Sequence, residues 1–253
     1  MKAIVTGASS GIGKEIAKIL SEKGYYIILV ARRKELLDAL IPKLKNGGEV
    51  FVADLSKENA CKDLYEAYKD ADIDVLVNNA GFGVHGKFSE TDLERDLSML
   101  KTNVLGLHTL TKLFLPDMLK RNKGYILNVA SLAAFMSGPL MSAYYASKAY
   151  VLRLSRGISK EIKGSGVKIS VLCPGPVDTE FNKVAGVKFA LKPLSAKKVA
   201  HIAVKRMFKG KFLTLPGITA KFSALFSKIL PDCILSECSY LIQKKKVKKN
   251  SKF

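Results

Sequence analysis

Tyr144 and Lys148 stand four residues apart, a spacing that puts both side chains on one face of a helix, a turn from each other. An ammonium held near a phenol favours the phenolate and lowers a pKa that otherwise sits at about 10. A tyrosine tuned in this way donates and accepts a proton near neutral pH. Ser131 follows an apolar run, residues 125–130, that reads as a buried strand, so its hydroxyl projects from a strand tip. There it can hold a substrate oxygen against the tyrosine. Tyr-x-x-x-Lys also arises on ordinary helix surfaces, so the pair gains its weight from what precedes it.

The elements that must position these residues begin at the N-terminus. A short apolar strand, residues 2–5, runs into Thr6-Gly7-Ala8-Ser9-Ser10-Gly11-Ile12-Gly13 and then into a helical pattern that ends near Gly24. Strand, glycine turn and helix together form a phosphate cradle. Gly7 allows the turn, Gly11 allows backbone to approach a pyrophosphate, and Gly13 allows helix and strand to pack closely. The second strand, residues 26–30, is followed by Ala31-Arg32-Arg33. An acid at this point would bind the ribose hydroxyl of NAD, whereas arginine suits the 2′-phosphate of NADP. Two arginines and no acid predict NADP. The same pair can also open a solvated helix over residues 34–45.

A third strand (49–53) closes on Asp54-Leu55, where the carboxylate can meet an adenine amino group or cap a helix over 58–69. A fourth (73–77) ends in Asn78-Asn79-Ala80-Gly81, suited to a loop that braces the sheet and lies along a cofactor. Helical patterns follow over 90–100 and 104–121, with Asn103 at their junction. Asparagine competes with helix backbone for hydrogen bonds, so Asn103 marks either a local kink that binds water or an ordinary helix end. Beyond the Tyr144 helix a strand at 167–173 stops sharply at Pro174-Gly175-Pro176-Val177-Asp178-Thr179. Residues 180–193 read as a mobile substrate lid, 195–208 as a helix capped by Ser195, and 212–215 as a last short strand. Strands alternating with helices at this spacing predict a parallel doubly wound sheet.

The chain ends in two apolar helical faces. Ile218, Phe222, Leu225, Phe226 and Ile229 share one, Pro231 interrupts, and Ile234, Leu235, Cys238, Leu241 and Ile242 continue the period. Six lysines (244, 245, 246, 248, 249 and 252) follow. Such a segment either lies on an anionic membrane or packs on the domain or a second subunit. The expectation is packing, with the lysines adding weak contact with a membrane surface.

Length and composition are consistent with one α/β domain: 253 residues, 48% hydrophobic and 25% charged. No run of eighteen apolar residues occurs, and the early first strand leaves no room for a signal peptide. The four cysteines (Cys61, Cys173, Cys233, Cys238) form no metal-ligating cluster and read as reduced, cytoplasmic and mostly core. A net charge of +20 would suit an acidic partner, or be a general lysine richness. The basic residues are scattered and form no nucleic-acid module, so nucleic acid is not expected.

Taken together, Thr6-Gly7-x-x-x-Gly11-x-Gly13, Asp54, Asn78-Asn79-Ala80-Gly81, Asn103, Ser131, Tyr144-x-x-x-Lys148 and Pro174-Gly175 resemble the short-chain dehydrogenase/reductase family. The motifs fall in family order over residues 1–215. The resemblance implies a Rossmann-like α/β fold over residues 1–215; residues 216–253 lie beyond the family pattern and read from their own periodicity as a C-terminal amphipathic helical extension and basic tail. It implies a catalytic tetrad of Asn103, Ser131, Tyr144 and Lys148. Tyr144 would be the acid/base and Ser131 would orient the carbonyl. Lys148 would bind the nicotinamide ribose and lower the Tyr144 pKa, and Asn103 would hold a proton-relay water. Cofactor contacts are implied at Gly7, Ser9, Ser10, Gly11, Ile12, Gly13, Arg32, Arg33, Asp54, Leu55, Asn79, Ala80 and Gly81. Further contacts are implied at Tyr144, Lys148, Pro174, Gly175, Val177 and Thr179, the last holding the nicotinamide carboxamide.

Many NADP-dependent members carry a basic residue where this chain has Ser10, so the NADP expectation rests on Arg32 and Arg33. The Leu215-Pro216-Gly217 turn and apolar tail loosely resemble members acting on long 3-oxoacyl thioesters or hydroxysteroids. The expected activity is thus a metal-free, NADP(H)-dependent interconversion of a hydrophobic ketone and alcohol by a homodimer or homotetramer. The alternative is a catalytically silent cofactor-binding regulatory or scaffold protein of the same fold.

Overall fold

The computed structural model describes residues 1–181, 185 and 193–248. Seven strands form one parallel sheet in the order β3-β2-β1-β4-β5-β6-β9. They are β1 (Lys2–Thr6), β2 (Tyr26–Ala31), β3 (Gly48–Val52), β4 (Ile73–Asn78), β5 (Gly124–Val129), β6 (Val167–Leu172) and β9 (Leu213–Thr214). Val177–Asp178 (β7) pairs with Leu194–Ser195 (β8) in a separate two-stranded ribbon. The central strands are buried on both faces, which explains their continuous apolar sequences.

Helices cover both faces. α1 (Gly11–Glu22) and α7 (Ala196–Phe208) pack together on one side, where Ile16, Leu20, Val199 and Met207 are fully buried with Val5 and Leu29 of the sheet. α3 (Ala60–Tyr68) and α5 (Leu107–Lys120) cover the other through Leu64, Leu110 and Phe114. Completing the set are α2 (Lys34–Asp38), α4 (Leu93–Leu100), α6 (Ser142–Glu161), α8 (Ile218–Ile229) and α9 (Asp232–Lys248). The order of the sheet reverses between β1 and β4, so the loops after these two strands diverge and leave a crevice at their carboxyl ends.

Several elements differ from the sequence reading. The helix expected over 34–45 stops at Asp38, and a 3₁₀ turn at Ile41–Lys43 with Pro42 in its first turn takes its place. Asp54 does not cap the next helix. Its Oδ1 accepts from the Ser56 N–H (3.0 Å) and hydroxyl (2.8 Å), and Asn59 occupies the cap position instead. Only Cys61 and Cys173 are buried, whereas Cys233 and Cys238 are exposed. Ser195 does cap its helix, accepting from the Lys198 N–H. The lid assigned to residues 180–193 falls largely outside the described residues.

The tail forms the two expected helices, with most residues of the expected apolar faces turned outward. Ala220 and Ala224 of α8 are buried, while Phe222, Leu225, Phe226 and Ile229 are each more than half exposed. In α9 the buried residues are Leu235, Ser239 and Gln243, and Leu241 and Ile242 are exposed. Packing on the domain therefore falls mainly to small and polar side chains, with Leu235 the one residue of the two apolar faces that is buried.

Candidate active site

The glycine turn is held from below by side-chain hydrogen bonds. Thr6, buried at the end of β1, donates its hydroxyl to the Val77 carbonyl and accepts from the N–H groups of Asn79 (2.9 Å) and Ala80 (3.0 Å). Asn79 returns two bonds, from Nδ2 to the carbonyls of Thr6 and Gly7. Gly7 and Gly11 have φ of +64° and +55°, where a side chain is strained. A Cβ on Gly13 would run into the Gly7 carbonyl and the Asn79 amide, which is why helix and turn can touch. A Cβ on Gly11 would meet the Thr179 methyl at 3.0 Å, so the glycine turn also abuts the loop after β6.

Above this floor opens a cleft of about 760 Å³. Of the residues predicted for catalysis or cofactor contact, all but Gly13 and Asn103 line it. Gly13 lies beneath the turn. Asn103 stands behind the wall, in a π-helical turn, Lys101–Gly106, that joins α4 to α5. The kink expected there is real: the wider turn lets the Asn103 amide leave the helix. Its Oδ1 accepts from the Phe82 N–H (3.1 Å), and its Nδ2 donates to the Phe82 carbonyl (2.9 Å) and to Ser147 Oγ (3.2 Å). A Cβ on Gly81 would lie 2.7 Å from Asn103 Oδ1 and 3.4 Å from Lys148 Nζ, so a bare glycine separates the two.

Ser131 leaves β5 in extended conformation and caps a 3₁₀ turn at Leu132–Phe135. Its hydroxyl accepts from the Ala133 N–H (3.2 Å), and it shares the cleft with Tyr144, which α6 presents with Lys148 on one face. Both are nearly fully buried, Tyr144 at 8% and Lys148 at 5% exposure. Lys148 Nζ donates to the Val129 carbonyl (3.0 Å) and lies 5.8 Å from the centre of the Tyr144 ring. The electrostatics correct the sequence expectation. Burial raises the Tyr144 pKa, and the neighbouring Ser131 side chain only partly opposes it; Lys148 does not bring it down. Burial also lowers Lys148 to about 8, which leaves the ammonium mostly protonated at neutral pH.

The two arginines take different positions at the mouth. Arg33 Nη2 donates to Ser9 Oγ (3.1 Å), Ser10 Oγ (3.4 Å) and a Glu180 carboxylate oxygen (2.7 Å). Arg32 lies 3.9 Å from Asp54. Burial of Asp54 works to raise its pKa, but the hydrogen bonds from Ser56 and the nearby Arg32 outweigh it and leave the carboxyl below its usual value. The positive-φ turn, the missing Cβ atoms and a guanidinium at the rim fit a phosphorylated dinucleotide.

Sequence reasoning missed three parts of this site. The hydroxyl of Thr6 organises the loop after β4, yet a strand-end threonine carries no signal of that role. Asn128 accepts from Asn78 Nδ2 (2.9 Å) and donates to Ser155 (2.9 Å), tying the fourth and fifth strands to α6. The only signal for it was a polar residue inside an apolar strand. From the tail, Ser223, Ile242 and Gln243 line the cleft, and Gln243 Nε2 donates to the Tyr145 hydroxyl at 2.8 Å.

A parallel doubly wound sheet whose carboxyl edge carries a glycine turn and a serine–tyrosine–lysine cluster defines a Rossmann-like oxidoreductase. Comparison with known proteins specifies which. The short chain dehydrogenase family model matches residues 1–188, and the chain belongs to that family. An uncharacterised oxidoreductase of Staphylococcus epidermidis is 32% identical over 222 residues, 87% of this chain and 96% of that protein. A very-long-chain 3-oxoacyl-CoA reductase of Anas platyrhynchos is 37% identical over 196 residues, 74% of this chain and 63% of that one. Among solved structures, a short-chain dehydrogenase from Sphingobium yanoikuyae in complex with NADPH superposes with a TM-score of 0.82 at 30% identity, covering 90% of this chain and 92% of that one.

Proposed function

We propose that this oxidoreductase uses NADP(H) to interconvert a carbonyl and a secondary alcohol on a hydrophobic substrate. The observation that carries the reading is the convergence of Ser131, Tyr144 and Lys148 in the same cleft as the glycine turn and Arg33. Bound NADP(H) would supply or accept the hydride at the substrate carbon. The Tyr144 hydroxyl gives its proton to the substrate oxygen in reduction and takes it back in oxidation. Ser131 Oγ holds that same oxygen, so the developing charge meets two aligned hydroxyls in a place with little water. Lys148 keeps a positive charge beside the phenol and would contact the nicotinamide ribose. Asn103, bonded to both polar atoms of the Phe82 backbone, fixes the loop that carries Gly81 past Lys148.

Arg33 would take the 2′-phosphate, helped by Ser9 and Ser10, while Gly7, Gly11 and the first turn of α1 would face the pyrophosphate. The substrate end is apolar, walled by Phe82, Met136, Met141, Tyr145 and Phe181. That lining, and the activity for which the Anas platyrhynchos relative is named, favour a long 3-oxoacyl chain or a molecule of steroid-like bulk. The test is a panel of apolar and polar ketones with NADPH and with NADH, following nicotinamide absorbance. Turnover of apolar ketones preferring NADPH is expected. A protein that binds NADPH yet reduces nothing in the panel would be the cofactor-binding scaffold instead.

A further inference from the structure

The α8–α9 hairpin is built inside out. Nine of the eighteen exposed large apolar side chains among the described residues belong to it or to the Leu230 corner between its helices. On α8 the alanines face the domain, whereas Phe222, Leu225, Phe226 and Ile229 point away at 53–68% exposure. On α9 the polar Ser239 and Gln243 face inward at 5% and 2% beside Leu235, Ile242 lies at the edge of the cleft, and Ile234 and Leu241 face out. Helices recruited only to bury their own apolar residues would sit the other way round.

This orientation is pinned. Ser137 donates to Asp232 (2.9 Å) at the start of α9, and Gln243 donates to Tyr145 (2.8 Å) near its end. Pro231 sets the corner, its carbonyl accepting from Ile234 and Leu235. The apolar face is therefore presented by the fold. An exposed apolar patch of this kind marks an interaction surface.

Charge identifies the partner. Residues 216–253 hold eight lysines and only two acids, Asp232 and Glu237, and Asp232 is occupied by Ser137. A second copy meeting this face about a two-fold axis would bring the two lysine-rich ends into one assembly, and a nucleic acid has no use for the phenylalanines. An anionic bilayer satisfies both features, taking the apolar side chains at its acyl boundary and the lysines among its headgroups. No helix among the described residues is long and apolar enough to cross a membrane, so the contact lies in the interfacial plane.

We propose that the outer face of α8 and α9, with the lysines that follow, is a docking surface for bilayers bearing anionic phospholipid headgroups. The inner face of the same hairpin lines the cleft through Ser223 and Gln243. A bilayer on the outside thus lies one helix layer from the site, whatever reaction takes place there.

The experiment is co-sedimentation of the full chain with phosphatidylcholine vesicles, with and without phosphatidylglycerol, at low and high salt. Three proteins are compared: wild type, Phe222→Ser/Phe226→Ser and Lys244→Glu/Lys245→Glu/Lys246→Glu. Circular dichroism and size-exclusion chromatography confirm that each is folded and report its oligomeric state. Wild type should bind the anionic vesicles at least ten-fold more tightly than neutral ones, and each variant should lose most of that binding. Salt should weaken wild type and leave little residual binding in the phenylalanine variant. Binding that survives the phenylalanine change untouched would reduce the contact to lysine electrostatics and overturn the proposal. So would absence of vesicle binding together with a wild-type oligomer that the phenylalanine variant dissociates.

Discussion

Arg33 and Glu180, 147 positions apart, form a 2.7 Å ion pair across the mouth of the cleft. A carboxylate and a phosphate compete for the same guanidinium, so this pair bears directly on cofactor choice. Both partners are about half exposed, and such pairs contribute only about 0–1 kcal/mol. A phosphate also bonded by the Ser9 and Ser10 hydroxyls displaces the carboxylate easily. Glu180→Gln should therefore tighten NADPH binding by up to about 5-fold and leave NADH nearly unchanged. Arg33→Ala should weaken NADPH by roughly 10- to 150-fold, the loss of a charge-assisted hydrogen bond of about 1.5–3 kcal/mol. Arg32→Ala should matter less, because among the described residues that guanidinium pairs with Asp54 alone, at 3.9 Å. Fluorescence titration with both cofactors decides this, and an Arg32→Ala/Arg33→Ala protein that binds both as wild type does would sink the assignment.

Tyr144→Phe removes one hydroxyl from a buried site and no phosphate contact. Turnover should fall by about 10²- to 10⁴-fold, the usual contribution of a positioned proton donor, while NADPH affinity stays near wild type. Steady-state kinetics alongside the same titration measure both. Activity within a few-fold of wild type would remove Tyr144 from the chemistry.

Lys148 connects stability to function. Its pKa lies near 8 in the fold against an ordinary 10.5, because burial disfavours the charge. Between these two values the unfolded chain holds a proton that the folded chain has released, so this contribution to stability rises with pH across pH 8 to 10.5. At pH 7 the buried charge costs about 3 kcal/mol. Lys148→Met should abolish activity and weaken cofactor binding, yet raise the stability of the cofactor-free protein at pH 7 by about 1–3 kcal/mol. The gain should shrink as pH climbs toward 10.5. Urea denaturation of both proteins at several pH values tests it, and the difference between them cancels the buried tyrosines and cysteines. A variant less stable than wild type at pH 7 would contradict the assignment of cost.

Thr6→Val keeps the shape of the side chain and deletes a hydroxyl that serves three backbone groups. Two N–H groups lose their acceptor, so a loss of about 2–6 kcal/mol is expected, at roughly 1–3 kcal/mol for each buried group left unpaired. The loop carrying Asn79 to Gly81 should loosen with it. Hydrogen exchange at Asn79 and Ala80 should rise more than in the rest of the sheet.

The catalytic face of α6 and the glycine turn were legible because their signals are local. A four-residue spacing on a helix, or three glycines after a strand, needs no partner from elsewhere in the chain. The central strands could be read for a similar reason, since burial on both faces leaves an unbroken apolar run. What escaped depends on distance. Thr6 and Asn79 are bonded across 73 positions, and nothing near either residue announces the other. The direction of the Tyr144 pKa shift failed in the same way, because desolvation is set by everything that surrounds the ring and not by Lys148 alone. For α8 and α9 the periodicity located the helices, but it gives only the relative angle of side chains. Which face turns inward was decided by Ala220, Ala224 and Gln243 meeting a domain already complete without the larger residues.

The order of the sheet also sets a timetable for the growing chain. Residues 1–78 contain all of β3-β2-β1-β4, so that half can pair as soon as it has emerged. The outer edge of β4 must then wait for β5, which starts 46 positions after β4 ends, at Gly124. Through that interval the ribosome holds an apolar strand with one side unpaired, ending in an Asn78 whose partner Asn128 has not yet been made. An open edge of this sort is where foreign strands add. The interval between these two strands is therefore the stretch of synthesis in which the nascent sheet is most open to mispairing.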